Sequence, residues 1–134
     1  MSLPHHPKVG DVFVCGFPRC FAVPEMIKAR PVVVISRELP GRKGLCTVVP
    51  LSTTKPEPVQ PYNCEVATPN IPPPFDSATK WAKGDMVYTF SLDRLSRFRL
   101  RHRDANGQRM YRTGRLSIDD LLAVKECVRL ALGL

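Results

Sequence analysis

The chain has no apolar run approaching the roughly 20 residues that a helix needs to cross a bilayer, which removes helical membrane proteins from consideration. It also lacks the basic-then-apolar opening of a secretory signal, so a cytoplasmic protein is expected. No internal repeat is visible. Close cysteine pairs are missing as well. Cys15, Cys20, Cys46, Cys64 and Cys127 form an odd set in which only the first two lie near each other, and no second pair completes a zinc site. Reduced thiols packed as small apolar groups are the simpler reading, and no metal or cofactor is called for. Negative charge is scarce: 12 acidic residues face 20 lysines and arginines, for a net charge of +8.

At 134 residues the chain suits one domain, spanning residues 1–134, with residues 1–8 read as a flexible leader. The positive excess is concentrated. Between Arg94 and Arg115 stand eight arginines against the lone Asp104, a net of +7. Guanidinium groups match phosphate bidentately, so a polyanionic partner follows, either nucleic acid or an acidic protein segment. Composition does not separate the two.

Val9–Val14 alternates after a turn and predicts a first strand, followed by a long connection from Gly16 to Ala29. Pro31–Ser36 is a β-branched run that closes on the Pro40-Gly41 turn, and Leu45–Leu51 predicts its hairpin partner. The proline-dense segment from Lys55 to Pro74 reads as a loop around an edge strand at Tyr62–Val66. Asp85–Phe90 predicts another strand after the Lys83-Gly84 turn, and Phe98–Met110 a ribbon turning at Asn106-Gly107. Ser117 caps a C-terminal amphipathic helix whose face is expected to carry Ile118, Leu121, Val124, Val128, Ala131 and Leu132. Strands closed by one helix predict a mainly β fold, a small twisted barrel.

Two places carry candidate chemistry. Arg30 precedes the second strand and Ser52-Thr53-Thr54 follows the third, so antiparallel pairing brings both to one end of the sheet. A guanidinium beside a hydroxyl would stabilise charge developing on a phosphorus centre. On residue chemistry alone the plainer readings prevail: a surface arginine, and hydroxyls satisfying a turn.

The segments Gly10–Val14, Glu25 through Arg30 to Ser36, and Val48-Val49-Pro50-Leu51-Ser52-Thr53 resemble, in order and spacing, the MazF/PemK (Kid/CcdB-like) toxins of type II toxin–antitoxin systems. Leu92-Asp93 and Gly114–Ser117 resemble that family's later segments, so the likeness spans Val9 to Leu132. The resemblance implies an SH3-like barrel of the plasmid-maintenance toxin type with a C-terminal helix, assembled as a homodimer. It implies metal-independent cleavage of single-stranded RNA through 2′-OH attack, giving 2′,3′-cyclic phosphate and 5′-OH ends, and a cognate antitoxin as protein partner. Carried over by position, Arg30 and Thr53 form the core pair and Glu25 is an accessory residue. Ser52 replaces the usual threonine.

Some relatives use an aspartate as general base where this chain places Val87. Asp85, two residues away, shares that face if the strand reaches it. Ser52, Lys28, Arg94, Arg97 and His102 are candidate RNA contacts. Two other readings remain. One is a gyrase poison of the same fold, disfavoured because Leu132-Gly133-Leu134 does not resemble the Trp-Gly-Ile ending of CcdB. The other is a non-catalytic RNA-binding barrel.

Overall fold

The structure is a computed structural model, and it describes residue 3, residues 5–16 and residues 29–134. Its strands are β1 (Asp11–Cys15), β2 (Arg30–Val34), β3 (Leu45–Ser52), β4 (Asn63–Ala67) and β5 (Thr79–Lys83). There follow β6 (Tyr88–Ser91), β7 (Leu95–Ser96), β8 (Phe98–Arg103), β9 (Arg109–Arg112) and β10 (Gly114–Arg115). One helix, α1 (Ile118–Leu132), ends the chain.

An antiparallel sheet runs in the order β10-β1-β2-β3-β5-β4, with β7 also on β1 and β6 also on β3. The eight-residue β3 organises it. Its first half pairs with β6 (Leu45↔Ser91 to Val48↔Tyr88) and its last two residues with β5 (Leu51↔Ala82, Ser52↔Trp81). The register differs between the two pairings because the chain turns at Gly84-Asp85 between β5 and β6. This switch of partner along one strand curls the sheet into a half-barrel.

Both faces of the sheet are buried. Val12, Val33, Val49, Leu51, Val66 and Ala82 enter one core with Phe98, Leu116 and Val124 of α1. Phe13, Cys15, Val32, Val34, Cys46 and Val48 enter the other with Phe90 and Leu95. Successive strand residues point to opposite faces, which is why Val32-Val33-Val34 and Val48-Val49 are continuous apolar runs rather than alternating ones. Residues at the start of the chain lie against the sheet: His6 Nε2 approaches Leu45 O at 3.1 Å and Pro7 is buried.

The β2–β3 hairpin forms as its residues predict, with Val32↔Pro50 and Val34↔Val48 paired. β4 is the edge strand expected in the proline-dense region. The arginine ribbon forms as β8–β9, closed by Asp104 Oδ1 accepting from the N–H groups of Asn106 and Gln108 and by Gly107 at φ 76°. Two expectations are corrected. The strand predicted from Asp85 begins only at Tyr88, because Gly84-Asp85 is a turn. Ile118 and Leu132 do not join the buried helix face; they are 76% and 57% exposed. At 3.6 residues per turn they fall roughly 120° and 80° around the axis from Val124. Cys127 is buried instead, packed so tightly on Gly84 that a Cβ there would lie 2.7 Å from the Cys127 carbonyl carbon.

β5 was not anticipated from the sequence. It carries Lys80, only 1% exposed, whose ammonium donates to Thr68 Oγ1 (2.5 Å) and Ser77 O (2.7 Å). Burial lowers the Lys80 pKa and Asp76 partly opposes that. A charge so enclosed is tolerated because those two acceptors meet it.

Candidate functional site

Strand register assembles a transverse row of side chains. Leu95 lies opposite Cys15, and Cys15 opposite Arg30. The β2–β3 register, carried two residues beyond Val32↔Pro50, sets Arg30 opposite Ser52. Ser52 faces Trp81, and Trp81 faces Glu65. Directly opposed residues share a face, so all six project from the same side of the sheet. The row runs from closed to open: Leu95, Cys15 and Ser52 are buried, Arg30 and Trp81 half-buried, Glu65 exposed.

Arg30 enters this row because Pro31 follows it. Proline disfavours the helical region for the preceding residue and holds it extended, as the first residue of β2 must be. The Arg30 Nε is enclosed by protein yet has no hydrogen-bond partner among the described residues. A buried donor left unpaired costs about 1–3 kcal/mol, and an incoming anion would remove that cost.

Ser52 Oγ accepts the N–H of Thr54 at 3.1 Å and so shapes the bend that follows β3. Thr53 stands on that bend, exposed and adjacent to the row. The register therefore puts Ser52, rather than Thr53, directly across from Arg30. Beside Cys15, burial pushes the thiol up to about 12, and the nearby Arg94 guanidinium partly opposes this. Arg94 thus flanks the inner end of the row, its guanidinium 5.5 Å from the centre of the Phe90 ring. Arg97 lies over Tyr111 at 5.2 Å.

The remaining candidates are more dispersed. His102 is exposed on β8 within the arginine ribbon. Asp85 occupies the turn after Gly84 and lines a hollow of about 280 Å³ with Glu57, Tyr62 and Lys83. The fold does not bring it into the Arg30 row. Glu25 and Lys28 lie outside the described residues.

Arg112 of the ribbon donates to Asn70 O at 2.8 Å, and Arg115 of β10 pairs with Asp11 at 2.5 Å. Among the described residues no salt bridge engages Arg99, Arg101 or Arg109. The Arg109 pKa is lowered, first by desolvation and then by the Arg103 and Arg99 charges, as expected where like charges crowd.

Sequence reasoning overlooked Trp81 and its neighbours Lys55 and Glu65. The alternation of Thr79-Lys80-Trp81-Ala82-Lys83 was the available signal. It was masked because lysines occupy both a buried and a half-buried position.

The model of PemK-like, MazF-like toxins of type II toxin–antitoxin systems matches residues 8–132. The uncharacterised Escherichia coli (strain K12) protein YifN is 35% identical, over 74% of this chain and 78% of its own length. Among solved structures, MazF from Deinococcus radiodurans superposes with a TM-score of 0.64 at 18% identity, covering 97% of this chain and 99% of that one. An endoribonuclease in complex with its cognate antitoxin, from a mycobacterial species, gives 0.60 at 20% identity, with 96% of each chain covered. At such identities these structures establish the fold. Together with the family match over nearly the whole length, they mean that the chain belongs to the PemK-like, MazF-like toxins of type II toxin–antitoxin systems.

Proposed function

We propose that this protein is an endoribonuclease toxin that cleaves single-stranded RNA without a metal ion and is neutralised by a cognate antitoxin. The observation that carries this reading is Arg30: a half-buried guanidinium with an unpaired, enclosed Nε, held in one row with Ser52. In the proposed reaction the ribose 2′-OH attacks the adjacent phosphorus, and its proton passes to the Glu25 carboxylate. Arg30 stabilises the phosphorane charge, and Thr53 donates a hydrogen bond to a non-bridging oxygen. The P–O5′ bond then breaks and the 5′-oxygen takes a proton from water, leaving a 2′,3′-cyclic phosphate and a 5′-OH. Asp85, in the turn after Gly84, is the alternative acceptor for the 2′-OH proton. Ser52 shapes the bend bearing Thr53, while Lys28, Arg94, Arg97 and His102 bind the flanking backbone.

The mycobacterial endoribonuclease was solved with its antitoxin, and the basic ribbon here suits the acidic segment of such a partner. Homodimer formation is supported by the apolar side chains that α1 leaves open, Ile118, Leu122 and Leu132. Incubating the purified protein with a long single-stranded RNA in EDTA tests the reading. Discrete fragments with 5′-OH ends are expected, and intact RNA would refute it. A non-catalytic RNA-binding barrel would retain the RNA uncut.

A further inference from the structure

Beyond Ser52 the row continues into Trp81 and Glu65, with Lys55 beside them, and the cleavage chemistry assigns none of the three a task. Trp81, half-buried and the only tryptophan of the chain, lies directly across β3–β5 from Ser52. Lys55 holds its ammonium 5.9 Å from the centre of the Trp81 ring. Glu65, exposed and without a hydrogen bond among the described residues, lies directly across β4–β5 from Trp81. Adjacent strands are about 4.8 Å apart, so Trp81 stands two strand spacings from Arg30 and Glu65 three. A flat ring and, one strand further out, a carboxylate acceptor therefore follow the guanidinium on the same face, with the Lys55 cation over the ring. An aromatic ring beside a cation is how proteins hold an unpaired base and its phosphate. A carboxylate at the far edge accepts hydrogen bonds and repels an edge that presents carbonyl oxygens.

We propose that Trp81, Lys55 and Glu65 form a nucleotide subsite next to the scissile phosphate. In it Trp81 stacks on the base, Lys55 neutralises its phosphate, and Glu65 selects a base with an exocyclic amino group. The proposal rests on the RNA-cleaving reading of Arg30 and extends it to substrate selection. Cytosine carries an amino group at position 4 and an unprotonated N3, where uracil carries a carbonyl oxygen and an N3–H. They are the sharpest test pair, and cytosine is the favoured base.

Because Trp81 is the sole tryptophan, its emission reports on the subsite without labelling. The probes are 2′-O-methyl oligo(C) and oligo(U) carrying an end dye; the blocked 2′-oxygen prevents cleavage. Oligo(C) should quench Trp81 with the same midpoint as the rise in dye anisotropy, and should bind several-fold tighter than oligo(U). Trp81→Ala should weaken oligo(C) binding by roughly 5- to 150-fold, the range for loss of one stacked base. Trp81→Phe should keep most of the affinity, and Glu65→Ala should erase the preference over oligo(U).

Binding with unchanged tryptophan emission would overturn the subsite, as would equal affinity for the two oligomers. The nuclease reading is judged separately, on long RNA. Cleavage by the wild type together with an unaltered KM in folded Trp81→Ala would remove the subsite alone. Quenching by oligo(C) without cleavage would uphold the subsite and remove the nuclease. Absence of binding to either oligomer would overturn the subsite and leave the nuclease reading to the long RNA.

Discussion

Arg30 combines two properties that rarely coexist at one position: extended geometry imposed by Pro31, and a guanidinium Nε shut away from solvent without a partner. Truncating it relieves an unpaired donor, so the fold has little to lose, whereas the transition state is deprived of a donor it needs. Arg30→Ala is therefore expected to slow RNA cleavage by about 10²–10³-fold while leaving the melting temperature nearly unchanged. Single-turnover cleavage beside a thermal melt checks both parts. The thiols offer a second prediction. Burial pushes Cys15 to about 12, Cys46 to about 11 and Cys64 to about 12. Each then holds its proton more tightly folded than unfolded, so its contribution to stability is complete below the unfolded value near 9.0 and declines as pH rises toward 11–12. Urea midpoints should fall steadily above pH 9 by this linkage. A flat midpoint across that window would contradict the burial.

At the level of elements, the β8–β9 ribbon and the packing of α1 on Gly84 behave differently. The ribbon is an exposed hairpin whose Arg99 and Arg101 have no salt bridge among the described residues. Removing either charge should leave the fold intact but flatten the salt dependence of RNA binding. Each phosphate of a single strand that is no longer neutralised changes the logarithmic slope by about 0.7. Affinities measured for Arg99→Ala and Arg101→Ala across a salt series would reveal this; an unchanged slope would remove the ribbon from the interface. Gly84 has no such latitude, since a Cβ would meet backbone atoms of Cys127 at 2.7 Å and 2.9 Å. Gly84→Ala should destabilise by about 1–3 kcal/mol, the usual range for overpacking. A chemical denaturation curve measures it directly.

For the whole molecule, α1 faces two ways. Val124 and Cys127 close the core, while Ile118, Leu122 and Leu132 remain open to solvent. If that open side joins two copies, Leu122→Glu should convert a dimer to a monomer in light scattering, with the helix signal in circular dichroism retained. A monomeric wild type would remove the homodimer.

The β2–β3 hairpin, the arginine ribbon, the Ser117 cap and the family likeness are all legible in the sequence. The first three depend on residues close together in the chain (β-branched runs, an Asn-Gly turn, a capping hydroxyl), and the likeness on the order of short motifs from Val9 to Leu132. The opposition of Arg30 and Ser52, the entry of Trp81 and Glu65 into their row, and the exclusion of Asp85 from it were not legible. Nor was the turning of Ile118 and Leu132 away from the core. These follow from how strands register across the sheet and how the helix is rotated upon it. A shift of one residue in register moves a side chain to the opposite face, and outside a short hairpin local sequence does not say which partner strand will be met.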